Sequence, residues 1–543
     1  MISLLGHRVP DWGTEVVVEG EGASVFRRYV RRPESLAHLL GDFGRWADRD
    51  ALVAGDRRIT YAEHLEDIEV VAQEMARLGI GPGDRVMVLA ANSPEWVTAF
   101  WATVRAGAVV VLGNAWWSAS EITHAVASIR PSLVVADERR ITMVADDVPV
   151  LPVEQVGALM AEPARGPAPG ERVPAEDDDA MVIFTSGTEG KAKGVLLSHR
   201  SVVANVQNLL VRTRRLPNEL PADHQGTVSL MCLPLFHIGG IQTLIAGQLS
   251  GGRMLFLEGR FDPEEILGLI QRERVRFFGG VPTMISRVLD CPALDSYDTS
   301  SIVSIAMGGS MVVPELAERI KRGFPSARKS VTSIYGQTEG GGALTAAGGT
   351  DLLDRPGCVG KPLPLTEIRV LTPDADGVGE VLVHSPTLMT AFVDGSPTPI
   401  DAEGWLHTGD LGRFDDDGYL YIVGRSREII IRGGENIAPG NVENRLLAHP
   451  AVLDVAVVAL PHPDLGEEVG AAVVLRPGVV VDAEELTAFA AAELARFEIP
   501  SRWWIGIDAL PLNTAQKVSK RDIVATWPDL SPIPSQTASQ TEE

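Results

Sequence analysis

Gly81-Pro-Gly-Asp-Arg-Val-Met-Val-Leu89, followed by Pro94-Glu-Trp-Val-Thr-Ala-Phe-Trp-Ala-Thr-Val-Arg-Ala106 and Ala108-Val-Val-Val-Leu112, is the stretch on which the fold class turns. A Gly-Pro-Gly-Asp turn releases a short apolar strand at 85–89, an apolar helical run occupies 94–106, and a second strand fills 108–112. Strand, helix and strand in that order form a βαβ unit, which implies parallel neighbours with helices on the sheet faces. Apolar strands of the same kind recur at 133–136, 180–185, 227–233, 253–257 and 302–307, several of them separated by helical stretches. The Pro, Gly and acid-rich segment 162–179 reads as an exposed loop before a buried strand.

After Asp351 the texture changes to short β-like pieces, as at 379–384 and 419–423, the latter preceded by the turn Asp415-Asp-Asp-Gly418. From 428 onward strand and helix signals return at 452–460, 470–475 and 483–495, enough for a small α+β domain. The expected fold is therefore α/β: a large N-terminal domain of mixed and parallel sheets with helices and a β-rich subdomain over 1–424, and a second domain over 428–530. The boundary falls at 424–427, and the Ser, Thr, Gln and Pro-rich tail 531–543 is expected to be disordered.

A chain of 543 residues is too long for one ordinary compact unit. Its 45% hydrophobic and 22% charged residues are those of a globular protein. With 48 Lys and Arg against 72 Asp and Glu, the formal charge of -24 repels polyanions, so nucleic acid is not an expected partner. The cysteines Cys232, Cys291 and Cys358 lie far apart without metal-type spacing and read as free thiols of a reducing compartment. The N-terminal residues lack a basic stretch leading into an apolar core, and no run reaches the length of a membrane span, so a cytoplasmic protein without an integral membrane segment is expected.

Phe184-Thr-Ser-Gly-Thr-Glu-Gly-Lys-Ala-Lys-Gly-Val195 carries the first chemistry. Its glycines let backbone N–H groups and the Thr185, Ser186 and Thr188 hydroxyls converge on an anion, and lysine adds countercharge, so a phosphate chain is the guest it suits. It is not a Walker A loop, since two residues separate Gly187 from Gly190 and Ala192 follows Lys191. Alone, the string reads more readily as a flexible polar surface turn than as a site. It is not alone: Tyr335-Gly-Gln-Thr-Glu339, Gly404-Trp-Leu-His-Thr-Gly-Asp410 and Gly424-Arg-Ser-Arg-Glu-Ile-Ile-Ile-Arg-Gly-Gly-Glu-Asn-Ile437 follow it in order.

Together these motifs resemble those of the adenylate-forming superfamily (acyl-CoA synthetases, luciferases and peptide-synthetase adenylation domains) over residues 35–525. The resemblance implies an AMP-forming acid–thiol ligase: a carboxylate attacks the α-phosphorus of ATP, giving an acyl adenylate and pyrophosphate, and CoA then takes the acyl group and releases AMP. A small-molecule carboxylic acid, ATP and CoA are the implied ligands, Mg²⁺ the implied metal, and a monomer or homodimer the expected assembly. The runner-up readings are delivery of the activated acid to a carrier protein, an amine or another acceptor, and an inactive ligand-binding scaffold.

The resemblance also assigns residues. Thr185, Ser186, Gly187, Thr188, Gly190 and Lys193 would hold phosphates, and Gly308 and Gly309 of Ala306-Met-Gly-Gly-Ser310 would wall the adenine and acyl sites. Tyr335, Gly336 and Gln337 would lead to Thr338 on phosphate and Glu339 on Mg²⁺, a hard ion that prefers oxygen ligands. Asp410 would accept from the ribose hydroxyls, with Arg425 also touching nucleotide. Residues 425–427 resemble the hinge on which the small domain moves, with Arg427 where Lys or Asp is usual. Gly433, Gly434, Glu435 and Asn436 resemble the segment lining the pantetheine tunnel, a stretch that by itself reads as a β-hairpin turn. Lys517, in Leu510-Pro-Leu-Asn-Thr-Ala-Gln-Lys-Val518, matches the catalytic lysine, a cation suited to charge spread over the transferring group.

Leu233-Pro-Leu-Phe-His-Ile-Gly-Gly240 resembles the segment beside the acyl pocket, with His237 at the gate between nucleotide and acid. A lone His in an apolar stretch also reads as structural. Amino-acid-activating relatives place Asp where His237 stands, so an apolar acid fits better than an α-amino acid. Trp116 and Trp117 read as packing or as a pocket cap. Glu189, Ala192, Asn441 and Gln516 depart from the usual pattern. Glu189 would repel phosphates unless it pairs with Lys191 or Lys193 or orients metal-bound water, and it is expected to point away from the β and γ phosphates.

Overall fold

The computed structural model describes residues 9–22, 25–145, 147–163, 173–186, 192–221, 223–309, 314–327, 330–433, 435–513 and 518–528. The tail 531–543 and residues 164–172 of the loop at 162–179 lie outside them. Cα packing divides the chain into two units, Met1–Thr408 with Gly412–Ile422, and Gly409–Leu411 with Val423–Glu543.

In the first unit the opening stretch forms strand Arg85–Leu89, helix Pro94–Arg105 and strand Val109–Leu112, the strands parallel with Arg85 opposite Val109. The helix starts where it does because Ser93 Oγ accepts the Trp96 N–H and Pro94 takes the first turn, where a missing N–H costs nothing. Trp96, Phe100 and Trp101 on its inner face are fully buried in one core with Trp12, Phe43 and Tyr61. Trp101 Nε1 keeps its hydrogen bond there, donating to Gln248 Oε1 at 2.9 Å.

The two strands belong to a seven-stranded sheet in which Asp179–Ser186, Val109–Leu112, Arg85–Leu89, Leu133–Ala136 and Val150–Pro152 run parallel, with Ala192–Ser198 antiparallel to Asp179–Ser186 and Ala391–Phe392 antiparallel in turn to Ala192–Ser198. A thirteen-stranded sheet has a parallel centre of Val331–Gln337, Ser304–Gly308, Phe277–Gly280, Val228–Leu230, Arg253–Phe256 and Asp50–Ala54. The β-rich stretch after Asp351 continues this sheet by hydrogen bonding: Cys358–Pro362 pairs with Gly342–Gly348 and with Leu420–Arg425. The expected strand at 227–233 is shorter, Val228–Leu230, because the chain leaves the sheet at Met231 and is held by Asn92, whose Nδ2 donates to the Met231 and Leu233 carbonyls.

The second unit has a five-stranded sheet in which Val452–His462 pairs with Gly466–Leu475, flanked by Ile430–Arg432 with Glu435–Ile437 and by parallel Arg502–Ile505. Helices Pro439–Leu447, Ala483–Ala491 and Lys520–Ala525 accompany it. The middle helix is shorter than the expected 483–495.

Three helices of the first unit, Ala119–Ile129, His199–Thr213 and Pro263–Glu273, end on an arginine in the left-handed conformation: Arg130 (φ 51°), Arg214 (φ 54°) and Arg274 (φ 55°). Glycine is the usual residue there, since it has no Cβ to crowd the backbone.

Candidate active site

Residues 184–186 and 192–195 of the phosphate string lie on the two paired strands of a β-hairpin. Asp179–Ser186 and Ala192–Ser198 pair antiparallel with Thr185 opposite Lys193 and Phe184 opposite Gly194. Residues opposite each other share a face, so the Thr185 and Lys193 side chains leave the same side of the hairpin. Lys193 Nζ lies 5.3 Å from the centre of the Phe392 ring. On the other face Phe184 meets Trp117 edge to face at 4.7 Å, and Gly194 leaves room for Val182 and Val393, anchoring the hairpin from beneath. Gly187, Thr188, Glu189, Gly190 and Lys191 lie outside the described residues, as does the Ser186 side chain.

Tyr335, Gly336 and Gln337 end the strand Val331–Gln337, and Thr338 and Glu339 occupy the turn that leads into Gly342–Gly348. The Gly340 N–H donates to the Gln337 carbonyl at 3.1 Å and the Gly341 N–H to the Thr338 carbonyl at 2.9 Å. Gly336 is required: a Cβ there would overlap the Gly342 carbonyl oxygen. Among the described residues the Thr338 hydroxyl and Glu339 carboxylate have no hydrogen-bond or ion-pair partner. Gln337 Nε2 is buried and likewise unpartnered. A buried amide donor without an acceptor costs about 1–3 kcal/mol, a cost that an oxygen-rich ligand removes. The neighbouring strand ends on Gly308, opposite Ile334, and Gly309 follows with φ 80°. These positions lie at the carboxyl ends of parallel strands, where α/β sheets place ligands.

Two consecutive residues tie the turn to the phosphate hairpin. The Met389 N–H donates to the Glu339 carbonyl and the Thr390 N–H to the Leu196 carbonyl, both at 2.9 Å. The structure thus brings Thr185 and Lys193 into one framework with Thr338 and Glu339, motifs more than 140 positions apart in sequence.

His237 is the residue before helix Ile238–Leu249, and its side chain does not cap that helix. Gly240 passes so close to the Pro234 carbonyl that a Cβ would overlap it. Phe236 is buried and meets the half-exposed Trp116 edge to face at 5.0 Å. Of the tryptophan pair, Trp117 therefore supports the phosphate hairpin and Trp116 the segment before His237.

In the second unit Asp410 is 4% exposed and accepts an ion pair from Arg425 Nε at 3.1 Å. The two residues expected to touch nucleotide meet each other. Asp410 sits within strand Leu406–Phe414 rather than at a helix or turn cap. Gly433 (φ 59°) follows Ile430–Arg432 in a hairpin whose Arg432 pairs with Glu435. The hairpin reading of that segment describes its backbone. Gly434, the Asn436 side chain, Gln516 and Lys517 lie outside the described residues. Flanking Lys517, Leu512 and Val518 form an antiparallel bridge, and the Ser519 N–H donates to the Pro511 carbonyl at 2.8 Å. Lys520, at the start of the next helix, pairs with Glu443 at 2.9 Å and Glu428 at 3.3 Å. The sequence reading passes over Asn205, Gln242 and Thr387, which hold the Glu339 turn from behind through contacts that no local pattern encodes.

Comparison with known proteins agrees with this geometry. A family model described as AMP-binding enzyme matches residues 42–393, and one described as AMP-binding enzyme C-terminal domain matches 441–517. The chain is 31% identical over 483 residues to a feruloyl-CoA synthase of Amycolatopsis sp, covering 86% of this chain and 94% of that protein. It is 30% identical over 492 residues to a 2-succinylbenzoate–CoA ligase of Bacillus cereus, covering 88% and 95%. Among solved structures, ATP-bound MatB from Rhodopseudomonas palustris superposes with a TM-score of 0.80 at 28% identity, over 91% of this chain and 99% of that one. The chain belongs to the AMP-binding enzymes, within the adenylate-forming superfamily.

Proposed function

We propose that this AMP-forming acid–thiol ligase activates an apolar carboxylic acid, with aromatic acids the first class to test. A carboxylate oxygen attacks the α-phosphorus of ATP while the bond to the bridging oxygen of pyrophosphate breaks. The CoA thiolate then attacks the acyl carbon, and AMP leaves. The observation that carries the reading is the shared anchorage of the phosphate hairpin and the Glu339 turn on Met389 and Thr390. It ties together the backbone that carries a cation, hydroxyls and a carboxylate before any ligand arrives, a preorganisation that suits electrostatic catalysis between two anions.

Glu339 suits Mg²⁺, which binds through one or two carboxylates together with substrate phosphates rather than in an all-protein cage. Among the described residues no group of three or more metal-ligating side chains is present, so the donor set fits that arrangement. Bound there, the ion would neutralise phosphate charge. Thr185, Lys193 and Thr338 take phosphate oxygens, and Gln337 supplies the unpartnered buried donor. Asp410 and Arg425 contact the nucleotide, Lys517 stabilises the transferring group, and the Gly433–Glu435 turn borders the pantetheine arm. Residues 425–427 act as the hinge between the steps.

The apolar acid follows from the surroundings of His237. Phe236 and Trp116 supply aromatic surface, and His237 stands where amino-acid-activating relatives carry Asp. Feruloyl and 2-succinylbenzoate, the acids in two relatives' names, are both aromatic. Among the described residues no helix is long and apolar enough to cross a membrane. We place the enzyme in the cytoplasm, where free Cys232, Cys291 and Cys358 remain reduced.

The test is to incubate the protein with ATP, Mg²⁺ and a panel of aryl and alkyl acids, follow pyrophosphate, and look for acyl-CoA by mass spectrometry when CoA is added. Pyrophosphate with thioester is expected. Adenylate without thioester would move the acceptor to a carrier protein or amine, and no pyrophosphate with any acid would leave a ligand-binding scaffold.

A further inference from the structure

We infer that Gln242 and Thr387, with Asn205 behind them, are positioning residues that set the aim of Glu339 toward its metal; this rests on the reading of Glu339 as the Mg²⁺ ligand. The turn after Gln337 is fixed carbonyl by carbonyl. Thr387 Oγ1 donates to the Gly340 carbonyl at 2.8 Å, Gln242 Nε2 to the Gly341 carbonyl at 3.4 Å, and Asn205 Nδ2 to the Ala343 carbonyl at 2.9 Å. Gln242 also donates to Asn205 Oδ1. The three residues come from helix Ile238–Leu249, the segment after strand Gly379–His384, and helix His199–Thr213.

All three are buried, at 7%, 0% and 1% exposure for Gln242, Thr387 and Asn205. Burying polar side chains is costly unless their hydrogen bonds are made, and apolar residues of similar volume would fill the same space without that requirement. Here the bonds are directed at one turn. Gly341 and Gly342 hold φ of 75° and 115°, and a Cβ on them would overlap the Thr387 carbonyl and the Gln242 amide. The backbone under Glu339 is therefore gripped from several sides, while the Glu339 carboxylate and Thr338 hydroxyl stay unpartnered among the described residues. Pinned backbone beneath free ligating groups is what a preorganised metal and phosphate ligand requires.

The experiment uses the full chain and measures Mn²⁺ binding by electron paramagnetic resonance in the presence of α,β-methylene-ATP, with ATP–pyrophosphate exchange alongside. The variants are Thr387→Val, Thr387→Ser, Gln242→Met, Glu339→Gln and the Thr387→Val/Glu339→Gln double. Melting temperatures check that each is folded. Thr387→Val and Gln242→Met should each weaken Mn²⁺ binding by about tenfold, the effect of releasing one buried carbonyl of the turn. KM for the acid should stay within about twofold, because the acid makes no use of the turn. Thr387→Ser should restore binding, and the double variant should bind no more weakly than Glu339→Gln alone. Unchanged Mn²⁺ binding in Thr387→Val and Gln242→Met, with Glu339→Gln impaired, would overturn the inference alone. Unchanged binding in Glu339→Gln would overturn the reading of Glu339 itself.

Discussion

Lys193 illustrates how a single side chain is held ready and remains displaceable. A cation over an aromatic face at a partly exposed site contributes about 0.5–1 kcal/mol, less than a charge-assisted bond to a phosphate oxygen, so the ammonium can leave Phe392 for a nucleotide at little cost. Lys517, by the proposed function, has the complementary task of meeting charge that develops only during transfer to the acid. We expect Lys517→Ala to lower acid-dependent ATP–pyrophosphate exchange by about 10²–10³-fold, while thioester formation from a supplied acyl adenylate stays within about threefold of the parent. At this scale the sequence speaks clearly where a residue works through its own neighbours. Thr338, Glu339, Asp410 and Arg425 could be proposed as site residues because each sits in a short motif. Asn205, Gln242 and Thr387 could not: an Asn and a Gln within helices and a Thr between strands carry no mark of a partner 99 or 47 positions away, as in the Gln242 contact with Gly341 and the Thr387 contact with Gly340.

Elements bounded by turn residues were legible to the residue, as in Leu133–Ala136 and Gly379–His384. Those whose ends depend on remote support were not. The strand beginning at Val228 stops after Leu230 because Asn92, more than 130 positions earlier, draws the following carbonyls away, and nothing in the apolar run predicts it. Sheet membership after Asp351 was hidden for the same reason, since pairing between distant strands leaves no periodic trace. Glycines separate these cases experimentally. Gly336→Ala must force the Gly342 carbonyl aside and should destabilise the protein by about 3 kcal/mol. Gly157→Ala, within helix Val153–Leu159 and with its nearest neighbour at 3.5 Å, should instead stabilise by about 0.5–1 kcal/mol. Urea unfolding of the two variants checks both signs, and a Gly336→Ala protein as stable as the parent would refute the packing argument for the turn.

Across the whole molecule, buried titratable groups pull stability in opposite directions with pH. Burial pushes Asp42 up to about 6 and Asp67 up to about 7. These carboxyls hold protons more tightly folded than unfolded, so their contribution is complete below the ordinary carboxylate range and is lost as pH rises through those values. Burial pushes His64 down to about 3 and His199 down to about 4. His199 Nδ1 accepts the Leu36 N–H at 3.1 Å, a bond that protonation at that nitrogen would break. The imidazoles hold protons more weakly folded, so their contribution is complete above the ordinary histidine value and is lost as pH falls toward 4 and 3. Between about pH 4 and 6 the two pairs oppose each other, and their summed slope is close to zero. His64→Leu removes one of the two imidazoles from the balance, so the carboxyls prevail and stability declines as pH rises. Its unfolding free energy should fall by about 1.4 kcal/mol per pH unit across that interval relative to the parent.

The left-handed arginines at the helix ends have a practical meaning for anyone wishing to use the enzyme. A left-handed non-glycine residue costs about 1–2 kcal/mol, and the three positions differ in what holds them. Arg274 is tied to Asp298 and Ser300, whereas Arg214 is exposed and lies on the surface. Arg214→Gly should therefore raise the resistance of the protein to heat, by about 1 kcal/mol of unfolding free energy, with turnover unaltered. Calorimetry of that one variant would show whether thermal tolerance can be improved from an exposed helix end outside every motif assigned to chemistry.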